Sequence, residues 1–159
     1  MGIKLERALW GSWTPHKFKI AVSGCPRNCA EATCKDLGII CVDSGFEIGV
    51  GGAAGMDLKE IEPLIKVATE EEALEYTLAF VQLYRENAKY LDRPYKWIAK
   101  VGIDWVREKV GDNAERARLV DAFKLSQSIY QTDPWAELSQ DQKARKFGPL
   151  ADLTLEAAE

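Results

Sequence analysis

The sequence predicts an α+β fold, in which a small mixed or antiparallel sheet packs with helices and is followed by a helical C-terminal half. Short apolar segments bounded by glycines and turn residues occupy the first part of the chain. After Thr69 the apolar residues recur at helical spacing. Because strands come first and helices follow, segregated elements are favoured over alternating βαβ units. We therefore divide the chain into a β-rich region, 1–68, and a helical extension packing on it, 69–159, with an irregular tail after about residue 131.

The β-rich region is expected to begin with a short amphipathic helix at residues 3–10. A strand is predicted at 18–22, where alternate residues are apolar. Two further strands, at 37–42 and 46–50, are separated by Asp43-Ser44-Gly45. A short connection that contains glycine favours a hairpin between them.

The helical region opens with a capping signature. Thr69 is followed three residues later by Glu72, the spacing at which the two side chains satisfy each other's backbone N–H groups. A long helix is expected from there to about residue 90, with Pro94 ending it. Further helices are predicted at 95–101, at 103–110 and after Asp112, with Gly102 as the residue that ends the first of them.

Composition excludes several classes of protein. The chain has 159 residues, 47% of them hydrophobic, and a formal net charge of -4, so it is long enough to bury a core. Lysines and arginines are spread among acidic residues, which argues against a nucleic-acid partner. No apolar run approaches the ~20 residues of a membrane-spanning helix, and no signal peptide is visible. We expect a cytoplasmic protein without a membrane partner.

Four cysteines, Cys25, Cys29, Cys34 and Cys41, lie within seventeen residues, and no others follow. Clustered thiols of this kind in a cytoplasmic protein are more often metal-binding or catalytic than structural disulfides. Cys25 and Cys29 flank a Pro-containing corner at the end of the first strand, so that both sulfurs can reach one metal centre. The alternative is that they are two incidental thiols at a turn.

The surroundings of Cys29 suit a thiolate ligand. If it opens a short helix through Cys34, backbone N–H groups and the helix dipole stabilise its negative charge, and Arg27 adds a cationic neighbour. Thiolates are the ligands of iron–sulfur clusters, and a cubane cluster takes four. Cys34 lies off the favoured helical face, and Cys41 falls in an apolar run typical of a buried strand, so both are weaker candidates.

Three segments around the cysteines form a recognisable motif, namely Thr14-Pro15-His16-Lys17, Val22-Ser23-Gly24-Cys25-Pro26-Arg27-Asn28-Cys29-Ala30-Glu31-Ala32 and Lys35-Asp36-Leu37-Gly38. These segments resemble the nitrite/sulfite reductase family, and within it the large subunit of cytoplasmic NAD(P)H-dependent nitrite reductases. The resemblance continues through Gly51-Gly52-Ala53-Ala54-Gly55, Tyr84-Arg85-Glu86 and Ser126-Gln127-Ser128. The chain is similar to the C-terminal part of that subunit.

The resemblance implies roles for individual residues. In the family two cysteine pairs hold a 4Fe–4S cluster, and the last cysteine bridges to the iron of sirohaem. Carried over, Cys25 and Cys29 are metal ligands and Cys29 is the bridge. Arg27 and Asn28 would donate to cluster sulfide or a sirohaem carboxylate, although they would serve equally by holding the turn.

The glycine loop is the remaining cofactor contact that the resemblance implies. Bare backbone at Gly51 and Gly52 would let the flat macrocycle approach. The loop lacks the ending of a phosphate-binding P-loop, and a hairpin or strand end is the alternative reading of its glycines.

The family's activity is the reduction of nitrite to ammonia, with electrons passing from NAD(P)H through FAD and the cluster to sirohaem. No cysteine precedes Cys25, whereas the family's first cysteine pair lies upstream of the second. We therefore expect a truncated and inactive fragment without catalytic residues of its own. Its partners would be the missing N-terminal domains, which hold FAD and NAD(P)H, and a small nitrite reductase subunit.

Three other functions remain open. A sulfite reductase fragment uses the same paired cofactors. A non-catalytic iron–sulfur electron-transfer module would bind its cluster through all four local cysteines. A plain interaction domain would have inert thiols and would dock a partner through Trp10, Trp13 and the helical face of residues 73–84.

Overall fold

The computed structural model of the chain describes residues 1–130 and 141–142, and it has the predicted α+β architecture. The elements of residues 1–130, in chain order, are α1 (Gly2–Leu9), β1 (Ile20–Ser23), a 3-10 turn (Ala32–Cys34), β2 (Leu37–Val42), β3 (Gly45–Val50), β4 (Ala53–Ala54), β5 (Leu58–Lys59), β6 (Glu62–Val67), α2 (Glu70–Asn87), α3 (Pro94–Val101), α4 (Ile103–Gly111) and α5 (Asn113–Tyr130). The tail predicted after residue 131 lies outside the described residues apart from 141–142.

The main sheet is mixed and has the strand order β1-β2-β3-β6. β1 runs parallel to β2, whereas the β2–β3 and β3–β6 pairs are antiparallel. The predicted hairpin at Asp43-Ser44-Gly45 is confirmed as the β2–β3 connection. β4 and β5 form a separate two-stranded ribbon. The cysteine motif follows β1, so this small mixed sheet carries it as expected.

One face of the sheet packs on the helices. Leu37 and Ile39 of β2 and Ile48 of β3 are at most 2% exposed and belong to the same hydrophobic cluster as Phe80 of α2 and Phe123 of α5. Because side chains alternate along a strand, Gly38 faces the opposite side of the sheet. The sheet and the helices therefore share a core, and the division of the chain at residue 68 stays a prediction.

Local signals in the helical region are largely confirmed. The Thr69 hydroxyl accepts a hydrogen bond from the Glu72 N–H at 3.2 Å, and the Glu72 carboxylate accepts one from the Thr69 N–H at 3.1 Å. α2 ends at Asn87 rather than near residue 90. Pro94 does not end α2 but opens α3, because its missing N–H costs nothing in a first turn. Gly102, at φ 86°, follows α3 as predicted.

Strand β6 (Glu62–Val67) is not predicted from the sequence. Its Glu-Pro start interrupts the alternation of apolar residues, and a proline within a run argues against a central strand. β6 is an edge strand, and its pairing with β3 shifts register between Ile48 and Gly49, where Pro63 lies opposite Gly49. An edge position with a bulge tolerates the missing N–H of Pro63.

Among the helices of the described residues, none combines the length and the hydrophobicity that a membrane-spanning segment needs.

Candidate functional site

The two leading cysteines lie on a loop built from successive tight turns. After β1 the Cys25 carbonyl accepts the Asn28 N–H at 3.1 Å, and the Asn28 carbonyl accepts the Glu31 N–H at 2.9 Å. Pro26 occupies the second position of the first turn, where its fixed φ fits. Asn28 and Glu31 adopt left-handed backbone conformations, with φ of 55° and 53°. Cys25 and Cys29 thus belong to a compact, hydrogen-bonded corner.

The helix predicted to start at Cys29 does not form. The only helical piece in this loop is the 3-10 turn of Ala32–Cys34, which has Glu31 before it. The left-handed backbone of Glu31, two residues after Cys29, interrupts any right-handed helix from Cys29 to Cys34. The expected stabilisation of a Cys29 thiolate by a helix N-terminus is therefore wrong.

The Asn28 side chain is directed into the loop. Its Oδ1 accepts hydrogen bonds from the Ser23 hydroxyl at 2.9 Å and from the Ala32 N–H at 2.7 Å. Its Nδ2 donates to the Thr33 hydroxyl at 2.9 Å. These bonds support the alternative in which Asn28 holds the turn, and a direct cofactor contact by Asn28 stays a prediction.

The loop rests on the sheet face opposite the helices. Ala32 is fully buried, and a Cβ placed on Gly38 would lie 2.1 Å from the Ala32 carbonyl oxygen. Real contacts of this kind stay beyond 3.0 Å, so only glycine lets the loop lie this close to β2. The contact fixes the height of the cysteine loop above the sheet.

A buried ion pair anchors the segment that follows the loop. The Asp36 carboxylate is 0% exposed and accepts bonds from the Arg93 Nε and Nη2 atoms at 3.1 and 2.8 Å. It also accepts the Lys19 N–H at 2.9 Å. Asp36 thereby joins the start of α3 to the starts of β1 and β2.

The four thiols have different surroundings. Cys25 and Cys29 are exposed, and their sulfurs make no hydrogen bond within residues 1–130. The Cys34 thiol lies 3.2 Å from the Glu31 carbonyl, to which it donates, and accepts a bond from the Lys35 Nζ at 3.4 Å. Lys35 is also paired with the Glu31 carboxylate, which is the main reason that its pKa is raised. The sulfurs of Cys25 and Cys29 are thus both exposed and free to bind an incoming group.

Cys41 points away from the loop. It lies opposite Phe46 in the β2–β3 pair and shares the core-facing side with Ile39. The loop covers the other side, at Gly38. Among residues 1–130 and 141–142, no three His, Cys, Asp or Glu side chains converge where they could hold a metal ion. The four-cysteine iron–sulfur module therefore has no support in this geometry.

Gly51 and Gly52 lie behind the loop and are buried. Their N–H groups donate to the carbonyls of Asp36 and Lys35 at 2.8 and 2.9 Å. A Cβ on Gly51 would meet Ile98 at 2.9 Å, and one on Gly52 would meet the Lys35 carbonyl oxygen at 2.5 Å. The chain's own packing thus accounts for both glycines, and their contact with a macrocycle stays a prediction.

Arg27 lies between the two exposed thiols in the sequence. Its side chain is exposed and makes no hydrogen bond or ion pair with the part of the chain described here. The fold thus brings Cys25, Arg27 and Cys29 together on one exposed corner. Asp36 lies in a segment that resembles the family, but no local pattern in the sequence indicates its pairing with Arg93, 57 residues away.

A comparison with family models matches residues 2–118 to the nitrite and sulphite reductase 4Fe-4S domain. The matched region includes the cysteine loop and the sheet, and it continues through α2, α3 and α4 into α5. The helices that pack on the sheet are therefore part of the same family match.

Known proteins agree with this match. The chain is 43% identical over 146 residues to the NAD(P)H nitrite reductase of Bacillus subtilis (strain 168), which is 92% of this chain and 18% of that protein. It is 36% identical over 133 residues to the large subunit of the NADH nitrite reductase of Escherichia coli (strain K12), covering 77% of this chain and 16% of the relative. An assimilatory-type sulfite reductase of Nitratidesulfovibrio vulgaris is 30% identical over 110 residues, covering 69% and 50%.

The chain thus spans less than a fifth of the length of the two nitrite reductases that it matches. The family model covers most of the chain and includes both exposed cysteines. This chain belongs to the nitrite and sulphite reductase 4Fe-4S domain family.

Proposed function

We propose that this chain is part of an NAD(P)H-dependent nitrite reductase that reduces nitrite to ammonia at a sirohaem coupled to a 4Fe–4S cluster. The observation that carries the proposal is the pair of exposed, unpartnered thiols of Cys25 and Cys29 on one hydrogen-bonded loop. Two relatives named nitrite reductases are more identical to this chain, and align with more of it, than the sulfite reductase.

The donor set of the loop fits half of such a cluster. Four thiolates hold a 4Fe–4S centre, and Cys25 and Cys29 would supply two of them, with Cys29 also bridging to sirohaem. Cys34 is engaged by Glu31 and Lys35, and Cys41 faces the core. The other two ligands would come from another segment of the intact protein.

When bound, the cluster and sirohaem would supply the one-electron transfer chemistry through which six electrons from NAD(P)H reach nitrite. The chain itself would hold two thiols outward on a fixed corner. The close contact between Gly38 and Ala32 and the ion pair of Asp36 with Arg93 support that corner. The exposed Arg27 guanidinium is the chain's available donor at that corner, for cluster sulfide or for a sirohaem carboxylate. No residue of this chain is assigned to proton transfer.

The remaining parts of the enzyme lie elsewhere in this proposal. Electrons enter from NAD(P)H through FAD, both bound by domains outside this chain, and a small subunit joins the large one in the cytoplasm. The chain spans only 18% of the Bacillus subtilis relative. We therefore expect the isolated chain to be inactive.

A sulfite reductase is the second candidate. The Nitratidesulfovibrio vulgaris relative with that name is 30% identical and aligns with 69% of this chain. The cysteine loop suits both enzymes, because the two reactions use the same pair of cofactors. A direct comparison of the two substrates is therefore needed.

The test is a chimaera in which this chain replaces the matching segment of the Bacillus subtilis nitrite reductase. We expect it to contain cluster iron, sulfide and sirohaem, and to oxidise NAD(P)H when nitrite is added. Cys25→Ser and Cys29→Ser should each lose the cluster signals, because each removes one ligand. Cys41→Ala is the matched control and should keep them.

Two results would contradict the proposal. One is an intact iron and sulfide content in both the Cys25→Ser and Cys29→Ser chimaeras, which would mean that these thiols are not ligands. The other is a chimaera that reduces sulfite efficiently and nitrite poorly, which would favour the second candidate.

A further inference from the structure

We propose that Asn28 is a positioning residue that fixes the thiols of Cys25 and Cys29 relative to each other before any cofactor is bound. The inference rests on the proposed function, because it concerns the same two thiols. Asn28 acts through the loop rather than by touching the cofactor.

The first support is the placement of the Asn28 carboxamide. It joins the end of β1 to the 3-10 turn through its bonds to Ser23, Ala32 and Thr33. Ser23 is 2% exposed and Ala32 is fully buried, whereas Asn28 and Thr33 are half-buried, so two of the three partners are shielded from water. A buried polar group left without its partner is destabilising. The two ends of the cysteine loop are therefore tied through one side chain.

The second support is the backbone at the same residue. Asn28 donates its N–H to the Cys25 carbonyl, and its own carbonyl accepts the Glu31 N–H. It thus ends the turn that begins at Cys25 and begins the turn that contains Cys29. Its left-handed φ of 55° is a conformation that asparagine, aspartate and glycine tolerate better than other residues. Residue 28 sets the angle between the two turns.

A metal centre benefits from such a fixed corner. Two thiols on a loose loop would have to be ordered when the metal binds, and that loss of conformational freedom weakens binding. Residues that orient the ligands typically change metal affinity by about 10- to 100-fold when they are replaced. Asn28 is the residue in this loop whose side chain and backbone both perform that task.

The experiment uses the full 159-residue chain with Cys34→Ala and Cys41→Ala, so that Cys25 and Cys29 are its only thiols. The probe is Cd²⁺, and the readout is the thiolate-to-cadmium charge-transfer absorption during titration. Asn28→Gly keeps the left-handed backbone but removes the side-chain bonds. Asn28→Asp keeps the oxygen that accepts from Ser23 and Ala32, and Thr33 can donate to it. Asn87→Gly is the control, since it removes one side-chain bond at the end of α2.

We expect Asn28→Gly to bind Cd²⁺ about 10- to 100-fold more weakly than the parent, with circular dichroism showing that it is folded. Asn28→Asp should restore binding to near the parent value, and Asn87→Gly should not change it. A merely structural role would lower the urea midpoint without moving the cadmium affinity of the folded protein. If Asn28→Gly does not fold, Thr33→Val, which removes a single bond, should weaken binding severalfold.

Equal Cd²⁺ affinity in the parent and in the folded Asn28→Gly or Thr33→Val variant would overturn the inference alone, with the ligand pair intact. Failure of Asn28→Asp to restore binding would also overturn it. If Cys25→Ser does not weaken Cd²⁺ binding by the parent, the two thiols do not act together. That result would remove the ligand pair of the proposed function, and the positioning role with it.

Discussion

At the scale of single residues, Gly38 is a position where the cysteine loop lies in close contact with the sheet that supports it. A methyl group at this position would lie 2.1 Å from the Ala32 carbonyl oxygen, which is backbone and cannot rotate away. We expect Gly38→Ala to lower the free energy of unfolding by at least about 2 kcal/mol, because the loop must lift from the sheet. Urea unfolding checks this, with Gly55→Ala as the control, since its added methyl group meets no atom within 4 Å. Equal losses in both variants would contradict the contact.

The Asp36–Arg93 pair is the second residue-scale prediction. Arg93→Met keeps the aliphatic stem but leaves a carboxylate with 0% exposure without its cation. Breaking a buried pair in this way costs about 3–5 kcal/mol of unfolding free energy. The matched control is Lys66→Met, which breaks a pair with Glu47 in which both side chains are 50% exposed. It should cost under about 1 kcal/mol, and similar losses in the two variants would show that burial does not distinguish the pairs.

At the scale of elements, the capping box of α2 makes stability depend on pH. Hydrogen bonds from the Thr69 N–H, the Thr69 hydroxyl and the Ala68 N–H hold the pKa of the Glu72 carboxyl below its ordinary value of 4.5. A carboxyl whose pKa is lowered by folding stabilises the protein at neutral pH, and that contribution is lost as the pH falls below 4.5 and through the lowered value.

Glu72→Gln separates the charge from the cap, because glutamine also serves at this position of a capping box. We expect its unfolding free energy to fall less between neutral pH and about pH 3 than that of the parent chain. Urea unfolding across this range is the measurement. Glu60→Gln, which changes an exposed side chain without a hydrogen bond in the described part of the chain, is the control for the removal of one carboxylate. A Glu72→Gln curve parallel to the parent's would refute the assignment.

Elements with local signals were predictable, and those that depend on distant partners were not. Thr69 and Glu72 specify the start of α2 through bonds within four residues, so their spacing was sufficient. β6 was missed because its pairing with β3 overrides the proline at its start. The helix predicted from Cys29 does not form because Glu31 is left-handed, and a left-handed residue other than glycine leaves no clear signal in the sequence.

The same distinction holds for the site. Cys25 and Cys29 were predictable because their spacing around Pro26 carries chemistry of its own. The inward direction of the Asn28 side chain was not, since it depends on Ser23 and Thr33 being brought together by β1 and the 3-10 turn. The pairing of Asp36 with Arg93 depends on the docking of α3, which no local pattern encodes.

At the scale of the whole molecule, the sheet does not have a core of its own. The buried cluster runs from Leu5 to Phe123, and the apolar face of β2 and β3 is part of the cluster that contains Phe80 and Tyr84 of α2. Phe80 and Tyr84 each lie about 6 Å, ring centre to ring centre, from Trp97 of α3, at 6.1 and 5.6 Å. The sheet that supports the cysteine loop therefore depends on helices from the second half of the chain.

This dependence predicts that residues 1–68 alone do not fold, whereas residues 1–130 unfold in one cooperative transition. Without α2 the side chains of Leu37, Ile39 and Ile48 would face water, and burial of such residues is the main favourable contribution to folding. Urea titrations followed by circular dichroism and by amide proton dispersion compare the two pieces. A cooperative transition and dispersed amide signals in residues 1–68 would instead establish a domain boundary at residue 68, and the loop would then be testable on that piece alone.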